Sequence, residues 1–137
     1  GALPQDPERY PLFSAQTKNW SPEKPYILIT GGVHGYETSG VQGSLMFLET
    51  KAEEFGEHFN ILVMPCVSPW GYETLERWNA KALDPNRSFN PDGGGKPATD
   101  ESHALIEHLK SFGVEQWTMH IDCHETTDSD VKKFRPT

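Results

Sequence analysis

The apolar positions of this 137-residue chain fall into runs of two kinds. Residues 26–30, YILIT, make a short continuous apolar stretch between Pro25 and Gly31-Gly32, as in a strand covered on both faces. From Ser39 the period changes. Val41, Leu45, Leu48, Ala52 and Phe55 recur at steps of four, three, four and three, which predicts a helix with those residues on one face and Gly56 as its stop. Residues 60–67, NILVMPCV, predict a second buried strand, and Pro65 predicts that it ends there or lies near an edge.

Residues 68–97 carry no steady period and are rich in Gly, Pro, Asn and aromatic residues, so they are expected to form a long loop of the functional or mobile kind. A helix is predicted next. Thr99 or Asp100 would cap it, Asp100 and Glu101 would suit its N-terminal dipole, Leu105, Ile106, Leu109 and Phe112 would line its apolar face, and Gly113 would stop it. Residues 116–122 give a third strand. Before all of these, residues 1–24 hold Pro4, Pro7, Pro11 and Pro22 and predict an extended lead-in with little regular structure.

The alternation of strand and helix predicts an α/β fold, with a largely parallel or mixed sheet and helices on both faces. Three strands make a thin domain, so the expectation is a single, partial domain over residues 1–137. Composition supports folding: 35% of residues are hydrophobic and 11% aromatic, too many for a disordered chain. The 20 acidic against 12 basic residues, a formal charge of −8, argue against nucleic acid or an anionic membrane surface as partner. Cys66 and Cys123 sit in or beside predicted core strands, which favours free thiols and a reducing compartment such as the cytoplasm over a disulfide framework. Oligomeric state leaves no signature in the sequence.

Open α/β sheets collect their sites beyond the carboxyl ends of the strands. His34 and Glu37 follow the first predicted strand, Asp84, Asn86 and Arg87 lie in the loop after the second, and His124 follows the third. A His-x-x-Glu pair alone is weak evidence. With His124 it becomes a His₂Glu set, of the type that holds a catalytic zinc ion with one position open. His58, His103 and His108 lie on or near predicted helices and suggest no chemistry. His120 is expected to be a packed, hydrogen-bonded core residue, and strand alternation turns Cys123 away from Asp122. The run GGGK at residues 93–96 fails as a phosphate loop, because Asn90 replaces the required glycine and Pro97 the magnesium-binding hydroxyl.

Five segments, PYILITGGVHGYETSG, SPWGYETLERW, DPNRSFNP, ATDESHALIEHL and MHIDCHETTD, resemble in order and approximate spacing the carboxypeptidase A-like zinc metallocarboxypeptidases. The resemblance covers roughly residues 25–128. It implies one zinc ion on His34, Glu37 and His124, with Asp84 supporting the first histidine and Asn86 and Arg87 gripping a substrate carboxylate. The family arginine that polarises the scissile carbonyl aligns near Trp78 or Asn79, with Arg77 the nearest cationic substitute. The general-base glutamate of the family lies further along than residue 137, which leaves Glu125 as a substitute within this chain.

IDCHETTD is also similar to the corresponding segment of the succinylglutamate desuccinylase and aspartoacylase branch. The implied activity is zinc-dependent cleavage of an amide beside a free carboxylate, as in a metallocarboxypeptidase. The implied partners are a peptide C-terminus or an N-acyl amino acid. The alternatives are an N-acyl amino acid deacylase and a non-catalytic module that binds zinc and a carboxylate.

Overall fold

The computed structural model describes residues 1–89 and 97–125. The continuous apolar runs form the centre of a four-stranded sheet. β1 (Ala15–Gln16), β2 (Tyr26–Gly31), β3 (Asn60–Met64) and β4 (Met119–Cys123) lie in the order β1-β3-β2-β4. β2 pairs in parallel with β3 and with β4, whereas β1 runs antiparallel to β3. β2 and β3 are buried almost throughout, as their unbroken hydrophobicity requires.

β3 stops before Pro65 but is not an edge strand, because the lead-in contributes β1 on its outer side. The lead-in is also more firmly packed than its prolines suggest. Leu3, Tyr10 and Leu12 form a small core against Trp70 and Ala104.

α1 (Thr38–Thr50) covers one face of the sheet: Phe47 and Leu48 pack on Ile27, Ile29, Ile61 and Val63. The predicted single helix is broken at Lys51, and α2 (Ala52–Gly56) follows. The buried face of α1 also differs from the predicted one. It runs through Gly40, Val41 and Ser44, while Leu45 and Phe55 are exposed. Small side chains let α1 approach the sheet closely, and a pattern scored on hydrophobicity alone overlooks them.

α4 (Asp100–Ser111) covers the other face, where Leu105 joins Val33, Met64 and Val67. The Thr99 hydroxyl caps it by accepting from the Ser102 N–H at 3.2 Å, and Gly113 follows in the left-handed region at φ +64°. The long loop holds two short elements, α3 (Pro69–Thr74) and a 3₁₀ turn (Pro85–Ser88). The GGGK run lies outside the described residues. None of the described helices is long and apolar enough to cross a membrane.

From β2 the chain moves through α1 to β3 on one side, then crosses through α3 and α4 to β4 on the other side. The strand order therefore reverses around β2. That is where a crevice opens beyond the strand ends of such a sheet.

Candidate metal centre

The segment after β2 turns at Gly32, whose φ is +59°. Two close backbone approaches then fix where its side chains go. A Cβ on Gly35 would fall 1.9 Å from the carbonyl carbon of Gly71, so only glycine lets this turn lie against α3. A Cβ on Gly40 would fall 2.3 Å from the Cys123 carbonyl oxygen, so glycine also lets the start of α1 meet the end of β4. These approaches bring Glu37 beside His124 although 87 positions separate them.

His34 and Glu37 are buried, at 2% and 3% exposure, and the His124 side chain is 29% exposed. One ligand atom from each of the three lies within 4.8 Å of the others. His34 Nδ1 stands 2.9 Å from Glu37 Oε1, and His124 Nδ1 stands 2.6 Å from Glu37 Oε2. The remaining imidazole nitrogens face carboxylates: His34 Nε2 lies 3.0 Å from Asp84 Oδ1, and His124 Nε2 lies 2.7 Å from Asp122 Oδ2.

An ionised carboxylate only accepts, and each neutral ring has one proton for two carboxylate neighbours, so in each ring one nitrogen is left with its lone pair facing a carboxylate. With the protons on the Nε2 atoms, toward Asp84 and Asp122, both Nδ1 lone pairs point at the two oxygens of Glu37. Such an arrangement of lone pairs against a carboxylate calls for a cation between them. Two imidazole nitrogens and a carboxylate oxygen are the donor set that zinc takes in sites with an open position, so the residues fit that ion.

Asp84 links this centre to the 3₁₀ turn. Its Oδ1 also accepts from the Asn86 N–H at 2.9 Å, and its Oδ2 accepts from Arg77 Nη2 at 3.1 Å and Nε at 3.3 Å. Partial burial pushes the Asp84 carboxyl up. The His34 hydrogen bond and the Arg77 charge outweigh that and hold its pKa below 3.8. Burial likewise disfavours charge on His124, but Asp122 and Glu37 prevail and raise its pKa above 6.5.

Arg77 also donates to the Tyr36 hydroxyl at 3.3 Å. It borders the centre, which Asn79 does not. Asn79 is buried, donates to Glu101 at 3.1 Å and ties back the loop through the Lys81 and Leu83 N–H groups. The arginine beside the site is Arg77, the nearest cationic residue to the aligned positions 78 and 79. Asn86 is half-buried and Arg87 exposed. Among the described residues the Arg87 guanidinium has no hydrogen-bond partner.

Glu125 is engaged elsewhere. Its Oε1 accepts from the Ser39 N–H at 2.6 Å, which caps α1 and holds the carboxyl below its ordinary pKa. Its own N–H donates to Glu37 Oε2 at 3.2 Å.

His120 is not a packed core residue. It is exposed on β4, yet hydrogen-bonded to Thr30 at 2.8 Å. Sequence reasoning missed Asp122 as the partner of His124. The signal was the alternation His120-x-Asp122-x-His124, which puts the first two on one strand face. Cys66 and Cys123 are both free and half-buried, and Cys123 packs on the opposite face from Asp122.

Comparison with known proteins places this geometry in context. The zinc carboxypeptidase family model matches residues 11–127. Carboxypeptidase 2 of Trichophyton rubrum is 35% identical over 120 residues, which cover 83% of this chain and 21% of that protein. A solved structure of a candidate metallopeptidase from Shewanella amazonensis SB2B matches with a TM-score of 0.73 at 32% identity, over 85% of this chain and 45% of that one. A succinylglutamate desuccinylase/aspartoacylase from Rhodobacter sphaeroides matches with a TM-score of 0.62 at 26% identity, over 82% of this chain and 33% of that one. The chain therefore spans about a fifth of the fungal relative and less than half of either solved relative.

Proposed function

This chain belongs to the zinc carboxypeptidase family, and from that premise we propose that it carries the metal-holding part of a hydrolase that removes a residue from a peptide C-terminus. The observation that carries the reading is the convergence of the His34 and His124 Nδ1 atoms on the two oxygens of Glu37. When bound by His34, Glu37 and His124, zinc supplies polarisation of a carbonyl and activation of water.

The chain's own residues do the rest of the positioning. Asp84 takes the Nε2 proton of His34 in a hydrogen bond and so keeps Nδ1 unprotonated. The same carboxylate holds the turn that presents Asn86 and Arg87, so the carboxylate grip and the metal ligand are set by one residue. Arg87, whose planar fork has no hydrogen-bond partner among the described residues, binds the terminal carboxylate and Asn86 donates beside it. Holding that end of the substrate makes the scissile bond a positioned neighbour of the centre rather than a random encounter. Arg77 adds positive charge at the rim. Glu125, bound to Ser39, is a poor proton acceptor, and we assign proton transfer to a glutamate further along the full-length protein.

The likeness to the desuccinylase/aspartoacylase supports a second reading, in which the same grip holds an N-acyl amino acid. Turnover by the full-length gene product distinguishes the two, assayed on C-terminal peptide libraries and on N-succinyl and N-acetyl amino acids. The proposal expects release from peptides. Cleavage of N-acyl amino acids alone would select the second reading, and no turnover with zinc bound would leave a non-catalytic binding module.

The metal itself is tested by elemental analysis of protein purified without added metal. One equivalent of zinc is expected, with His34→Ala and His124→Ala each abolishing binding. Less than about a tenth of an equivalent, with none regained on titration, would sink the centre.

A further inference from the structure

The two histidines of the centre are not held alike. His34 is buried, and its ring is fixed by its surroundings as well as by Asp84. His124 follows β4, its side chain is 29% exposed, and its ring is met by that of His34 at a centroid distance of 5.0 Å. Packing alone leaves such a ring free to turn. A hydrogen bond must orient it.

On the side away from Glu37 that bond comes from Asp122, and Asp122 is itself anchored. Thr30 lies directly opposite Asp122 in the β2–β4 register and is 1% exposed. Its hydroxyl donates to Asp122 Oδ1 at 2.7 Å, while Asp122 Oδ2 accepts from His124 Nε2 at 2.7 Å. A hydroxyl has a single proton. Having given it to Asp122, Thr30 must accept in its contact with His120 Nε2 at 2.8 Å, so that His120 nitrogen carries hydrogen. The proton order runs one way, from His120 to Thr30 to Asp122, and His124 meets Asp122 from the other side. Both Asp122 oxygens are thereby fixed, one from the core strand and one from the ligand ring.

We propose that Thr30 and Asp122 form a positioning pair that orients His124, carrying the rigidity of β2 to the exposed member of the centre. Neither residue belongs to the group of candidate metal ligands. They act through His124, by keeping its proton on Nε2 and its Nδ1 lone pair aimed at Glu37. The inference rests on the metal-centre reading above, but the ring's orientation is measurable without metal.

The test uses the 137-residue chain and four variants, Asp122→Ala, Asp122→Asn, Thr30→Val and Thr30→Ser. An amide has one acceptor oxygen and no charge, so Asp122→Asn cannot accept from both Thr30 and His124 although its shape is nearly the same. Zinc affinity is measured by chelator competition, and the hydrogen-bonded His124 Nε2–H is followed as a low-field proton resonance in the zinc-free protein. Urea midpoints verify folding, and Asp122→Asn carries the test if Asp122→Ala does not fold.

Both Asp122 variants are expected to weaken zinc binding about 10- to 100-fold, with the resonance lost in Asp122→Ala and lost or moved upfield in Asp122→Asn, where the acceptor is uncharged. Thr30→Val should move both readouts in the same direction, and Thr30→Ser should restore them. Parent-like zinc affinity and an unmoved resonance in Asp122→Asn and Thr30→Val would overturn the proposal. Should the parent bind no zinc, a resonance lost or moved upfield on Asp122→Asn upholds the positioning pair while sinking the metal centre, and a resonance unmoved sinks both.

Discussion

Arg87 stands exposed on the 3₁₀ turn, without a hydrogen-bond partner among the described residues. Hydrogen bonds to charged groups contribute about 1.5–3 kcal/mol, so Arg87→Met in the full-length protein should lower kcat/KM on carboxylate-ended substrates roughly 10- to 150-fold, mainly through KM. Zinc content should not change. Steady-state kinetics on a substrate and its C-terminal amide would check this, since the amide should be insensitive to the substitution.

A second side chain makes a different prediction. Burial pushes the Cys66 thiol up to about 11, against a smaller opposing effect of the Ser68 N–H. The thiolate is the nucleophile, so Cys66 should resist iodoacetamide at pH 8 in the folded chain and label readily in urea. Peptide mass mapping reads the site, and equal labelling rates in both conditions would refute it. His34, Glu37 and Asp84 were legible at this scale because their order and spacing matched a motif. Asp122 had only the alternation with His120 and His124 as a signal, and its anchor Thr30, 92 positions away, had none.

The elements are where backbone contacts matter most. A Cβ on Gly35 would overlap the backbone of Gly71, which cannot move aside as a flexible side chain can. Gly35→Ala should therefore destabilise by about 1–3 kcal/mol or more and weaken zinc binding, by pushing the His34–Glu37 turn away from α3. Gly43, inside α1, is the control. A Cβ there meets nothing within 4 Å, and Gly43→Ala should stabilise by up to about 1 kcal/mol. Urea unfolding of both variants checks the pair, and a Gly35→Ala protein as stable as the parent would contradict the assigned contact. The existence and type of α1, α4, β2 and β3 were legible from periodicity. The buried face of α1 was not, because Gly40 and Ser44 are buried for their size. β1 was also invisible: two residues in a proline-rich segment carry no pattern, and pairing with β3 alone makes them a strand.

At the level of the whole molecule, acid should weaken the fold. Arg9 and Tyr10 hydrogen-bond to Glu73 and hold its carboxyl below 4.5, joining the N-terminal segment to α3. Burial lowers the pKa of His108 below 6.5, where its Nε2 meets the Ser14 hydroxyl at 2.8 Å. In both cases the folded state holds the proton less well than the unfolded state. The His108 contribution is therefore present above about pH 6.5 and is lost as pH falls through its lowered value. The Glu73 contribution is present above about pH 4.5 and is lost below it. His124, whose pKa is raised, contributes stability on protonation and opposes the first decline, so the test uses His124→Ala: its urea midpoints should fall from pH 7.5 to pH 5.5 and again toward pH 4, with Glu73→Gln flattening the second decline. A midpoint that rises on acidification would exclude this linkage.

The α/β alternation, the position of the polar clusters at strand ends and the identity of three metal-ligand candidates were determined by the sequence alone. Hydrophobic period, chain punctuation and ligand chemistry are local properties, each contained in a few consecutive residues. The tertiary structure alone decided that α1 meets the end of β4 through Gly40, that Arg77 and not Asn79 borders the centre, and that Glu125 caps a helix. It also decided that Thr30 on β2 anchors the carboxylate orienting His124. These are contacts between segments distant in the chain, set by sheet register and by backbones approaching too closely for any side chain, and neither quantity is written in one segment's pattern.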